Sequence, residues 1–359
     1  MKKTILILSL GILLITGCVR VTPPATVAET QTSSRTPTLT RTPKPTKTPT
    51  ITHSPTSTVQ PPLVEHEWSP ETLLIYFDVY PGIGYIFPSA PFFILYADGR
   101  LFIKVENETT NREQIFAKHL SRQETCQMLN TLDQIGYLDY DPQNYYQDSQ
   151  AYNITDAGDY IINVNAWKNT LGNYYALGEH LYFLSDVSNE KSEEFQKYSP
   201  VILPALRDTF YFLRKFPHSD FELYSPEKLL IWVSLIPQYK DDSTGKQWTL
   251  KNLSLAQLHQ ETGSNVGFPP SENSQSFAIL EDDDADAVFE LFQRSYDAQG
   301  ELYVQDGQGY VVFTRPLLPY EDPHLYISQY PPSNSSKPDF KLHCYPSDGT
   351  LPIPTSFYP

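Results

Sequence analysis

The sequence predicts an α+β fold: antiparallel hairpins packed against helices, in two similar-sized units that follow a Thr/Pro-rich stretch with no core of its own. Three observations predict it. Short runs of Tyr, Phe, Ile, Val and Leu are joined by turns such as Ala97-Asp98-Gly99-Arg100, and Asp-Gly between apolar runs is a hairpin signal. Stretches with apolar residues at helical spacing separate these runs. Strands and helices do not alternate regularly, which argues against a doubly wound parallel sheet.

The chain opens on Lys2 and Lys3, and from Thr4 to Ile15 it holds only apolar residues, Gly11 and small hydroxyl residues. A charged start and about 12 such residues read as a secretory signal over residues 1–17, because a membrane-spanning helix needs about 20. The run ends in Ile15-Thr16-Gly17-Cys18, which resembles the lipobox of bacterial lipoproteins. That resemblance implies cleavage before Cys18, diacylglycerol on the Cys18 sulfur and an acylated amino group. Two or more acyl chains hold a protein on a bilayer where one is marginal. The implied place is the extracytoplasmic face of the cell membrane, with the membrane itself as the first partner.

Residues 18–62 form the linker. From Val19 to Pro62 the chain is mostly Thr, Pro and Ser, with the texture Arg41-Thr42-Pro43-Lys44-Pro45-Thr46-Lys47. So little apolar surface cannot offset the entropy of ordering, and the stretch is expected to stay unfolded and polyproline-like, with a reach on the order of 130 Å if extended. It carries a net charge of +4, whereas residues 63–359 carry 19 basic and 41 acidic residues. The acidic part either keeps an exported protein soluble or is repelled from an anionic surface on which the linker lies. In both cases nucleic acid is excluded as a partner.

The first unit is expected at 63–216. Leu73 to Val79 reads as a strand, Phe92 to Tyr96 and Leu101 to Val105 as a hairpin, and Leu120 onward as a helix with Ser121 and Glu124 at capping-box spacing and Gly136 as its stop. Tyr160 to Asn165 and Tyr174 to Leu177 form a second hairpin, and Pro200 to Phe216 a helix with Leu203, Leu206, Phe210 and Leu213 inward. The second unit, 217–330, takes a strand from Leu229 to Leu235, helical stretches near Leu253 to Gln260 and from Asp284 to Tyr296, and a hairpin around Asp306-Gly307-Gln308-Gly309. Residues 331–359 are a Pro/Tyr-rich tail expected to drape over the domain or to be loosely ordered, its Tyr and Leu content favouring draping.

Four short segments, Tyr96 to Arg100, Leu120 to Glu124, Tyr175 to Gly178 and Arg315 to Pro319, resemble segments of uncharacterised secreted bacterial lipoproteins. The resemblance covers most of residues 70–320 and implies no activity.

Motifs for chemistry are sparse. With Cys18 lipidated, Cys126 and Cys344 remain; outside the cytoplasm they either pair across a long loop or stand as separate thiols. The eight histidines are scattered, and there is no Gly-x-Ser-x-Gly or paired Cys-x-x-Cys, so the acyl-hydrolase elbow and the paired-cysteine zinc signature are lacking. Asp282, Asp283, Asp284 and Asp286 offer oxygen ligands for Ca²⁺, or else complement the positive end of a helix dipole. Trp167, Trp232 and Trp248 lie on or near expected strands, either as core or as rings that stack on a glycan or peptide. No catalytic residue is identified. The expectation is a membrane-anchored, non-enzymatic module that binds an envelope glycan, peptide or protein, against a hydrolase whose carboxylates meet only in three dimensions, or a structural spacer.

Overall fold

A computed structural model describes residues 62–67, 69–80, 90–107, 112–139, 159–168, 174–178, 204–237, 245–262, 277–296, 300–321 and 341–353. Every described residue belongs to one compact unit, Thr58–Pro359. The expected signal at 1–17, Cys18 and the expected linker up to residue 61 lie outside the described residues.

The fold is α+β. Along the chain, β1 (Val64–Glu67) and β2 (Leu73–Tyr80) come first, then β3 (Phe93–Tyr96) and β4 (Arg100–Asn107). The turn between the last two pairs Leu95 with Leu101, and Gly99 takes φ +94 there. A strand the sequence reading missed, β5 (Arg112–His119), pairs with all of β4. Its charged and amide residues mask it, and of its apolar side chains only Ile115 is fully buried.

Helix α1 (Arg122–Ile135) starts on the expected capping box. The Ser121 hydroxyl accepts from the Glu124 backbone N–H, and a Glu124 carboxylate oxygen accepts from the Ser121 backbone N–H at 2.7 Å. Gly136, at φ +90, ends it. Next are β6 (Asp159–Val164), β7 (Ala166–Trp167), β8 (Tyr174–Gly178), helix α2 (Pro204–Arg214) and β9 (Glu222–Leu223). Leu203, expected on the inward face of α2, lies outside the described residues.

The remainder supplies β10 (Lys228–Ile236), β11 (Lys246–Gln247), α3 (Leu255–Thr262), β12 (Ala278–Glu281), α4 (Asp282–Leu291), β13 (Glu301–Gln305), β14 (Gln308–Pro316) and β15 (Lys341–Cys344). Two corrections of boundary arise here. Helix α4 starts two residues earlier than expected and stops at Leu291, because Gln293 and Arg294 take positive φ and break the helical run. The β13–β14 turn needs only Asp306 and Gly307, both at positive φ, with Gln305 paired to Gln308, as in a two-residue type I′ turn.

Among the described residues the strands form three sheets: a seven-stranded antiparallel sheet in the order β8-β6-β2-β3-β4-β5-β9, a five-stranded one in the order β11-β13-β14-β10-β12 whose β11–β13 contact is parallel, and a three-stranded one, β15-β1-β7. One face of the large sheet (Phe77, Phe93, Leu95, Leu101, Ile103) packs on α1 and α2 through Leu129, Leu132, Leu206, Phe210 and Leu213. Phe77 meets Phe210 edge to face at 5.4 Å, and truncating such a ring to Ala costs about 3–5 kcal/mol. The other face (Tyr76, Ile94, Phe102, Ile115) shares a core with Leu229, Ile231 and Val288 of the five-stranded region.

That shared core crosses the boundary expected between residues 216 and 217, as does β9, which completes the first sheet by pairing with β5. The tail is also tied in. Strand β15 pairs with β1, Asn130 of α1 donates to the carbonyls of Tyr345 and Gly349, and Cys126 is disulfide-bonded to Cys344.

Candidate functional site: a cleft between two sheet edges

Five stretches of chain meet around a cleft of about 1000 Å³. They are the start of β4, the end of β5, the segment 220–228 that includes β9, residue Ile279 of β12, and the segment 317–321 that follows β14. The cleft therefore borders the last strand of each large sheet, β9 in one and β12 in the other.

Its apolar lining follows from strand geometry. On β12, Ala278 and Leu280 are buried and Ile279 and Glu281 are exposed, so the period of two that fills the core turns Ile279 into the cleft. Among the described residues only two large hydrophobic side chains are exposed, Ile279 at 39% and Tyr320 at 51%, and both line this cleft. Phe102 and Tyr224 meet edge to face at 5.0 Å behind them, and burial pushes the Tyr224 phenol above its ordinary pKa.

The wall formed by 317–321 is held from beneath. The hydroxyl of Tyr96 donates to the Pro319 carbonyl, and that of Tyr224 to the Leu317 carbonyl at 3.2 Å. Glu321 accepts the Leu318 backbone N–H at 3.0 Å and pairs with the guanidinium of Arg315. Burial alone would lower the pKa of Arg315, but Glu321, with Tyr76 and Asp78 farther off, keeps the guanidinium charged and raises it. A buried ion pair whose partners also hold backbone specifies one position for this wall.

Most charges at the rim are matched. Arg100 pairs with Asp98 at 2.7 Å and stacks over the Tyr320 ring. Lys118 reaches Asp220 at 2.8 Å and Glu124 at 3.3 Å, and Lys228 pairs with Glu281. Glu222 and Glu227 also line the cleft, and among the described residues no cation lies within ion-pair distance of either. His119, at the end of β5, completes the titratable groups.

The residues singled out from sequence lie elsewhere. Trp232 is buried beside Phe313 at 4.7 Å between ring centres, and Trp248 is buried against Tyr303 with its indole N–H donated to the Leu253 carbonyl. Of the two readings open for these rings, core or ligand contact, their burial is that of core side chains. Trp167 contributes backbone to β7, and its side chain lies outside the described residues. Asp282, Asp283 and Asp284 occupy the first turn of α4 with Asp286 one turn on. They face a helix N-terminus, where negative charge is favoured; among the described residues no three His, Cys, Asp or Glu side chains converge as a metal site.

Sequence reasoning missed Ile279, Tyr320, Glu222 and Glu227 as a set, because nothing local marks them. One signal was present. Tyr96 to Arg100, Leu120 to Glu124 and Arg315 to Pro319, three of the four short segments noted above, all border or brace the cleft. The fourth, Tyr175 to Gly178, sits in β8 at the opposite edge of the sheet. Comparison of the chain with protein-family models, curated proteins and solved structures finds no match.

Proposed function

We propose that this protein is a membrane-anchored extracytoplasmic lipoprotein whose folded part is a non-enzymatic binding module at the cell envelope, with the cleft between β9 and β12 as its ligand site. The observation that carries the reading is the gathering of Ile279 and Tyr320, the exposed large hydrophobics among the described residues, in one cleft. Exposed apolar surface collected in a concavity favours a bound partner, since scattered exposure needs no explanation. Rim charges bound to each other and a wall braced by hydrogen bonds suit recognition by a preformed surface. Support for the anchor is the Ile15-Thr16-Gly17-Cys18 run after an apolar stretch too short to span a bilayer.

Two experiments test this. The intact chain in detergent is used for envelope pull-down and glycan-array binding, with Ca²⁺ and with chelator, beside an Ile279→Asp/Tyr320→Ala variant. A saturable ligand lost in the variant supports the reading; a blank, or binding that the variant keeps, overturns it in favour of a spacer or of another site. Separately, Cys18→Ser should abolish labelling by an alkyne fatty acid, and persistent labelling would remove the anchor assignment.

A further inference from the structure

We propose that the ligand of the cleft is an extended peptide segment in which a lysine or arginine neighbours an apolar side chain. This rests on the reading of the cleft as the binding site and adds the chemistry of its occupant. Charge carries the first part of the argument. Each cation lining the cleft already has an acid: Arg100 has Asp98, Lys118 has Asp220 and Glu124, and Lys228 has Glu281. The half-buried acid Glu321 has Arg315. What is left over among the described residues is the pair of exposed carboxylates Glu222 and Glu227. The local surplus is negative, and residues 63–359, with 41 acidic against 19 basic residues, set a field of the same sign around it. A cationic group is drawn in and an anionic one is repelled.

Shape and apolarity carry the rest. A bare metal ion does not fit, because no cluster of three ligating side chains exists among the described residues. A sugar ring stacked on Tyr320 would compete with Arg100, whose guanidinium lies over that ring. Ile279 and Tyr320 instead offer contacts for an aliphatic or aromatic side chain, beside the carboxylates that hold the charge. The cleft also borders β9 and, at Ile279, β12, and among the described residues no strand pairs with the outer side of either. Edge strands present backbone N–H and C=O groups that an extended chain can satisfy and a helix cannot.

The probes are three fluorescent, acetylated and amidated hexapeptides, alternating Leu with Lys, Leu with Glu, and Ser with Lys, titrated by anisotropy into the intact chain in detergent. The Leu/Lys peptide is expected to bind saturably, with the other two at least tenfold weaker. Glu222→Gln/Glu227→Gln should weaken the Leu/Lys peptide at least tenfold, and Ile279→Asp should do the same. All three positions are exposed, and unchanged circular dichroism melting confirms that the variants fold. Equal binding of the Leu/Glu peptide, no binding of the Leu/Lys peptide, or indifference to the double Gln variant overturns the peptide class. If an envelope ligand is still captured by the wild type and lost in Ile279→Asp, only the class of ligand has failed. If Ile279→Asp/Tyr320→Ala changes no binding, the cleft itself is not the site.

Discussion

The guanidinium of Arg100 lies 4.5 Å from the centre of the Tyr320 ring, joining the first hairpin of the large sheet to the segment that leaves the last long strand of the other. Tyr320 reaches that position with φ +63, a left-handed conformation that costs a residue with a side chain roughly 1–2 kcal/mol. The stacking returns about 0.5–1 kcal/mol. Tyr320→Gly removes both, so its stability in urea unfolding is expected within about 1 kcal/mol of wild type, while its cleft binding is lost. A large loss of stability would mean that Tyr320 braces the fold.

Gly99 supports the same corner. At φ +94 it lets its carbonyl accept the Leu120 backbone N–H at 2.8 Å, and a Cβ placed on it would lie 2.3 Å from the Leu120 oxygen. Because the clashing atom is backbone, nothing can rotate away. Gly99→Ala should cost about 3 kcal/mol, seen as a lower urea midpoint. An unchanged midpoint would show that the hairpin and the start of α1 are not coupled here.

The disulfide between Cys126 and Cys344 closes a separation of 218 residues. In the chain-entropy picture it stabilises by about 5 kcal/mol. Reduction, or Cys126→Ser/Cys344→Ser, should lower the unfolding midpoint accordingly and speed amide exchange first in β1 and β15, which pair through Val64 and Cys344. Exchange that rises evenly over all sheets would argue against such local release.

The capping box makes a pH prediction. Hydrogen bonds from the Ser121 backbone N–H and hydroxyl, with help from Lys118, hold the Glu124 carboxyl below its ordinary pKa. A group with a depressed folded pKa contributes stability fully above its unfolded value, about 4.3, and loses it as pH falls through the folded one. Glu124→Gln should therefore destabilise at pH 7 and converge on wild type at acid pH in guanidinium melts, whereas Ser121→Ala should cost about 1 kcal/mol at pH 7. A Glu124→Gln deficit that persisted undiminished in acid would contradict the assignment.

Legibility in the sequence tracked the range of the interaction. The Asp98-Gly99 turn, the Ser121/Glu124 box, the Gly136 stop and the Asp306-Gly307 turn are each settled within a few residues by dihedral preference and local hydrogen bonding. Strand β5 was missed because its fit to β4 comes from a neighbouring strand and not from its own hydrophobicity. For Trp232 and Trp248, alternation marks two faces of a strand without saying which is covered, and here Phe313 and Tyr303 cover the rings.

By itself the sequence determined the α+β class, most of its hairpins and helix ends, and the acidic balance of the folded part, since these depend on short-range geometry and on composition. Only the tertiary structure decided that Cys126 meets Cys344, that β15 returns to β1, that β9 and β12 are edges, and that Ile279 and Tyr320 share a cleft with Glu222 and Glu227. Exposure, pairing and convergence are properties of the neighbours a residue acquires when distant segments bury their apolar faces together, and no local pattern encodes them.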